Sequence, residues 1–86
     1  MKVYVLSYEW GNGTLNGMVC VGVFDTEEKA QKVMEWEIEK IKKKWTEQCE
    51  NFENAKNINT TIGIGVATIS TEDRYKHYRI SEKKVK

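Results

Sequence analysis

One apolar stripe in the middle of the sequence constrains the fold more than any other feature. Seven apolar residues recur at spacings of four, four, three, four, four and three: Ala30, Met34, Ile38, Ile41, Trp45, Cys49 and Phe52. Because an α-helix turns once in about 3.6 residues, this spacing puts them along one face of a helix. The stripe therefore predicts one long amphipathic helix that ends between Thr46 and Asn54.

Residues 25–28 mark the start of this helix. Asp25 followed three residues later by Glu28 fits a capping box, with Thr26 as the alternative N-cap. Glu27 and Glu28 also suit the positive end of the helix dipole.

The residues before the helix predict a β-hairpin. Residues 2–9 and 17–24 are rich in β-branched and aromatic side chains, which favour strands. Between them, residues 10–14 contain Gly and Asn, which tolerate the backbone angles of a turn.

A second pair of strands is predicted after the helix. A polar loop at 51–59 leads to a third strand at 60–70, and a turn at 71–73 leads to a fourth at 74–81. We expect residues 82–86 to form a flexible basic tail.

This order predicts an α+β domain spanning residues 1–86. Its ββαββ sequence of elements indicates a four-stranded, largely antiparallel sheet with the long helix on one face. One helix covers one face, yet both faces of the first hairpin are apolar. We expect one of them, which carries Tyr4, Leu6, Tyr8 and Trp10, to meet a second copy or another partner.

The glycines of the third strand suggest close packing. Gly63, Gly65 and Ala67 share one strand face, and we expect the bulky Trp45 of the helix to pack against them. Because this Gly-x-Gly lies inside a predicted strand with no helix after it, it does not indicate a phosphate-binding loop.

Trp36 is the leading candidate for a partner-binding residue. It lies opposite the apolar stripe, and Lys32 and Lys40 flank it at one helical turn, with Lys43 one turn beyond Lys40. An exposed tryptophan among lysines is typical of an interface, although lysine stems that cover the indole on a solvated face would give the same pattern.

A second surface could bind nucleic acid or a nucleotide. Its candidates lie on the fourth strand: Arg74, Lys76, His77 and Arg79, with Tyr75 or Tyr78 for stacking. The net charge of only +1 argues against nucleic acid as the main partner.

The sequence has no pattern typical of catalysis or metal binding. His77 is the single histidine, and Cys20 and Cys49 have no zinc-ligand spacing. We therefore expect no enzyme activity, metal or cofactor, and we expect both cysteines to be small buried apolar residues, with a disulfide between them as the alternative.

No apolar run approaches the roughly 20 residues of a membrane-spanning helix, and residues 1–9 do not resemble a secretory leader. We therefore expect a cytoplasmic location and no membrane partner.

The stretch Val-Gly-Val-Phe-Asp-Thr-Glu-Glu-Lys-Ala at 21–30, after Met-Lys-Val-Tyr-Val-Leu at 1–6, resembles small ββαββ proteins of bacteriophages and mobile elements. The resemblance covers about the first forty residues. Some proteins of this size and architecture inhibit bacterial defence, anti-CRISPR proteins among them. The resemblance implies a small inhibitor or adaptor that acts by binding, in the host cytoplasm, and it identifies no functional residue.

The leading hypothesis is therefore a protein-binding module that occludes the surface of a host protein. One candidate surface would bind the target and the other would form a homodimer. The alternatives are the nucleic-acid or nucleotide site on the fourth strand and a small-molecule site at an aromatic dimer interface.

Overall fold

The computed structural model describes residues 1–48 and 58–85, with five strands and one helix. The elements are β1 (Lys2–Gly11), β2 (Asn16–Phe24), α1 (Glu27–Gln48), β3 (Asn59–Gly63), β4 (Val66–Ser70) and β5 (Tyr75–Lys84). The strands form one sheet in the order β2-β1-β5-β4-β3, and all neighbours are antiparallel. The predicted α+β class is confirmed, but the predicted number of four strands is wrong.

The additional strand arises from a turn inside the segment predicted as a third strand at 60–70. Gly63 pairs with Val66, so the chain reverses at Ile64 and Gly65. Gly65 has a φ of 76°, which is the left-handed region that the third position of a type II turn requires. Glycine adopts this backbone conformation without the steric penalty of a Cβ atom.

The side chain of Gln31 braces this turn against the helix. Its Nε2 donates to the Gly63 carbonyl oxygen at 3.0 Å, and its Oε1 accepts from the Gly65 amide at 2.9 Å. The Ile80 amide also donates to the Gly65 carbonyl oxygen at 2.9 Å. The two glycines thus belong to a turn held by hydrogen bonds, and the expectation that they line a strand face under Trp45 is wrong.

Thr26 caps the start of α1. Its Oγ1 accepts a hydrogen bond from the Lys29 amide at 3.2 Å, as expected of an N-cap residue. Asp25 instead pairs with the Lys29 side chain at 2.9 Å, and this hydrogen-bonded ion pair lowers the pKa of the Asp25 carboxyl group. The alternative in which Thr26 is the N-cap is therefore the one observed.

The core lies between α1 and one face of the sheet. The helix contributes five of the predicted stripe residues: Ala30, Met34, Ile38, Ile41 and Trp45. The last two predicted members, Cys49 and Phe52, lie outside the described residues. The sheet contributes Leu6, Ala67, Ile69 and Tyr78, all buried, and Tyr78 stacks at 4.9 Å from Tyr8.

The helix occupies the sheet face that was expected to meet a partner. Tyr4, Leu6, Tyr8 and Trp10 alternate along β1 on the side that faces α1. Leu6 is 0% exposed in the core, and Tyr8 packs against the core cluster, so neither belongs to a free binding face. Tyr4 and Trp10 are half-buried. The expectation for this face is wrong because the helix itself covers the more aromatic side of the hairpin.

The end of the chain is a strand up to residue 84. β5 pairs with β1 from Gly11–Tyr75 to Lys2–Lys84, and the Val85 amide donates to the Met1 carbonyl oxygen at 2.8 Å. An ion pair joins Lys2 to Glu82 at 3.3 Å. The expectation of a flexible tail at 82–86 is therefore wrong for residues 82–85, and Lys86 lies outside the described residues.

The turn between β3 and β4 can be tested by substitution. Gly65→Ala should lower the free energy of unfolding by about 1–2 kcal/mol, because an L-residue is strained at positive φ. Ile64→Ala, at a neighbouring position that is 90% exposed, should change it by less than about 0.5 kcal/mol. Chemical denaturation checks both values. Equal effects of the two substitutions would contradict a turn at this position.

Candidate functional site

Trp36 lies on the outer side of α1, as its position opposite the apolar stripe predicted. Its side chain is 56% exposed, and the Lys40 Nζ lies 4.8 Å from the ring centroid. Lys32 pairs with Glu28 at 3.7 Å, and Lys43 is exposed. Lys40 thus covers part of the indole by a cation–π contact, while a large apolar surface stays accessible.

The basic residues proposed as a nucleic-acid site do not form one surface. His77 and Arg79 lie on the sheet face away from α1, whereas Lys76 alternates to the helix side with Tyr78. Arg74 precedes β5 and stacks on the ring of Trp45, with its Cζ 4.2 Å from the centroid. The predicted fourth strand, which is β5, therefore divides these side chains between the two faces of the sheet.

The face away from the helix, which we call the open face, has a polar centre. His77 Nδ1 and Thr68 Oγ1 are 2.8 Å apart, and β-pairing puts Glu9 directly across from His77. A shallow groove of about 180 Å³ runs along this centre. It is lined by Ser7, Tyr8, Glu9, Met18, His77, Arg79 and Ser81. Sequence analysis missed the neighbourhood of Glu9 and His77 because the two residues are far apart in sequence.

A larger cleft lies where the helix passes the ends of β1 and β5. We call it the end cleft; its volume is about 420 Å³. It is lined by Tyr8, Trp10, Gly11, Asn12, Lys44, Trp45, Arg74, Tyr75 and Lys76. Aromatic and cationic residues from three segments of the chain thus line this cleft.

Glycines let two aromatic rings of the end cleft lie flat against the strands. A Cβ atom at Gly11 would come within 2.5 Å of the Tyr75 ring, and one at Gly17 within 2.7 Å of the Trp10 Nε1. A larger residue at either position would push its ring aside. The rings of Tyr75 and Trp10 can therefore lie where they do because Gly11 and Gly17 have no side chain.

The cations of the end cleft lie over aromatic faces. The Lys76 Nζ is 4.8 Å from the Tyr8 ring centroid, next to the stacked pair of Arg74 and Trp45. Burial lowers the pKa of Lys76; Glu37 opposes this shift, and the positive charges of Lys44 and Arg74 add to it. A partly buried ammonium group with two positive neighbours makes this cleft electropositive.

Both edge strands of the sheet lack charged residues, and β2, with nine residues, is longer than β3, with five. β2 ends the sheet, and none of its nine residues is charged. Exposed apolar side chains cluster on β2 and the turn before it: Leu15, Met18, Val19 and Val23. The absence of charge is visible in the sequence, but only the topology identifies β2 as an edge.

Cys20 is an exposed free thiol on β2, so the expectation that it is buried is wrong. Within residues 1–48 and 58–85, no three His, Cys, Asp or Glu side chains come close enough together to hold a metal ion. In the same part of the chain, no helix combines the length and apolar character that crossing a membrane requires.

The chain matches, over residues 1–85, a protein family described as a domain of unknown function (DUF7336). The match spans nearly the whole sequence, so the chain belongs to this family. No curated protein and no solved structure matches the chain.

The orientation of α1 can be tested with its two tryptophans. Trp45→Ala should lower the free energy of unfolding by about 3–5 kcal/mol, because Trp45 is only 5% exposed. Trp36→Ala should change it by less than about 0.5 kcal/mol, because the indole lies on the outer side. Chemical denaturation measures the free energy of unfolding of both Trp→Ala variants. A larger loss for Trp36→Ala would contradict the helix orientation.

Proposed function

We propose that this member of a family of unknown function is a non-catalytic protein-binding module that assembles through the edge strand β2. The strand that it accepts is β2 of a second copy of the chain, so that the two sheets join into one. The sequence predicted a homodimer through the sheet face that carries Tyr4, Leu6, Tyr8 and Trp10. The proposal keeps the homodimer but assigns it to the edge strand β2.

The observation that carries the proposal is the long uncharged edge that β2 forms, with exposed apolar side chains along it. An edge strand presents unpaired backbone N–H and C=O groups, which another strand can satisfy. Proteins protect such edges with lysine, proline, bulges or short strands. β2 is nine residues long and contains no Lys or Pro. It has one bulge-like irregularity, at Val21, which leaves residues 16–20 as a regular run.

A second copy suits this edge because the interface would be self-complementary. Two identical strands can pair antiparallel across a two-fold axis, so that each copy offers the same surface. Since β2 carries no charge, the pairing brings no like charges together. The exposed side chains of Met18 and Val23 would then be flanked by side chains of the partner's β2 and would lose part of their contact with water.

The outer face of α1 is the second surface of this proposal, and its occupant is a target protein. Trp36 supplies the apolar anchor, while Lys32, Lys40 and Lys43 supply positive charge around it. These side chains favour a partner with an apolar socket edged by carboxylates. The resemblance to phage and mobile-element proteins predicts a host defence protein as this target, and that identity stays a prediction.

Nucleic-acid binding is less well supported than protein binding. A backbone-tracking site needs a continuous basic surface, and Arg74, Lys76, His77 and Arg79 are divided between two sheet faces. The aromatic and cationic side chains of the end cleft favour a small ligand instead of a long strand.

Analytical ultracentrifugation of two matched lysine variants tests the role of β2. Met18→Lys puts a charge on the edge at a position that is 68% exposed, and it should weaken dimerisation by about tenfold or more. Ile64→Lys makes a comparable apolar-to-lysine change at the β3–β4 turn, and it should leave the dimer unchanged.

Two results would contradict the assignment of β2. One is a wild-type chain that stays monomeric at high concentration. The other is a dimer that Met18→Lys and Ile64→Lys weaken equally. Trp36→Ala should leave dimerisation intact, since the outer face of α1 is assigned to a different partner.

A further inference from the structure

The end cleft has the size and position of a small-molecule site. Its volume of about 420 Å³ lies within the range of roughly 300–1,000 Å³ that such sites occupy. It lies at the end of the sheet where β1 leads into its turn, and Gly11 and Asn12 are among its lining residues. It does not include the residues of β2 or the outer face of α1.

The ring of Trp10 provides a flat surface for a planar group. Trp10 lies against Gly17 on the helix side of the sheet, so the backbone supports this ring from behind, whereas Tyr75 lies against Gly11 on the open face. Trp10 is half-buried and lines the cleft, so part of its ring surface stays accessible. Rings that are held in place before binding lose little conformational freedom when a ligand stacks on them.

The cations of the cleft provide a complementary charge. Lys76 lies over Tyr8, and Lys44 comes from the last part of α1. Within the described residues, neither Lys44 nor Lys76 belongs to an ion pair with a carboxylate. Nearby Glu37 acts on Lys76 at longer range, while Lys44 and Arg74 repel it. An anion bound among these groups would relieve that repulsion.

We propose that the end cleft binds a small molecule in which an anionic group is attached to a planar aromatic ring. The ring stacks on Trp10, which shares the helix side of the sheet with Lys76, and the anionic group lies between Lys44 and Lys76. A nucleoside phosphate and an aromatic carboxylate share this chemistry. The site is independent of the assembly through β2, so either assignment can fail without the other.

Calorimetric titration with four probes tests this proposal. Adenosine 5′-monophosphate and indole-3-carboxylate combine a ring with an anion, whereas adenosine lacks the anion and inorganic phosphate lacks the ring. At least one of the first two should bind saturably and more tightly than adenosine or phosphate. Binding of the nucleotide alone would identify a phosphate ligand, and binding of the indole acid alone would identify a carboxylate ligand.

Matched lysine variants locate the binding. Lys44→Gln changes an exposed residue of the cleft and should weaken the tighter probe by roughly tenfold, because a charge-assisted hydrogen bond is lost. Lys42→Gln changes an exposed helix residue that does not line the cleft, so the affinity should be unchanged. Gly17→Ala should weaken both ring-bearing probes, because its Cβ would displace the Trp10 ring.

The proposal would be overturned if neither ring-bearing anion binds saturably to the wild-type chain. It would also be overturned if Lys44→Gln and Lys42→Gln weaken binding equally. Equal losses would mean that the anion responds to the overall positive charge of the helix and not to a site in the cleft. Circular dichroism of each variant establishes that the fold is retained. Lys44 is the residue chosen to test the charge because its side chain is exposed and does not contribute to the core.

Discussion

The structure depends on the packing of one amphipathic helix against one face of a five-stranded sheet. Met34 and Ile38 of α1 meet Leu6 and Tyr78 of the two central strands, and all four side chains are almost fully buried. Because a single helix can cover a single sheet face, this contact also determines what stays exposed. The open face and the end cleft are both consequences of where α1 lies, while the strand order sets the two edges.

Much of the fold could be predicted from local patterns. The apolar stripe identified the helix, its core-facing side and the outward position of Trp36, because helical periodicity depends on spacing alone. The β3–β4 turn was missed because residues 60–70 read as one β-rich run, whereas the reversal shows in the antiparallel pairing of Gly63 with Val66. The pairing of residues 82–84 with β1 was missed because it depends on a strand that is distant in the sequence.

The candidate sites were harder to predict than the fold because they combine distant residues. Tyr8, Lys44 and Tyr75 come from three elements, so no spacing in the sequence brings them together in the end cleft. The choice of the sheet face beneath the helix also depends on packing, because both sides of the first hairpin are apolar. The uncharged run at 16–24 was visible in the sequence, but its meaning depended on β2 being an edge.

Residue-resolved amide hydrogen exchange, measured in dilute and concentrated protein, tests the central claim most directly. The account predicts that β2 amides pointing away from β1 exchange quickly in dilute protein and become protected as the concentration rises. The outer amides of β3, the opposite edge, should exchange quickly at both concentrations. Fast exchange of the outward β2 amides at every concentration would contradict assembly through this edge, because an occupied strand protects its backbone hydrogen bonds.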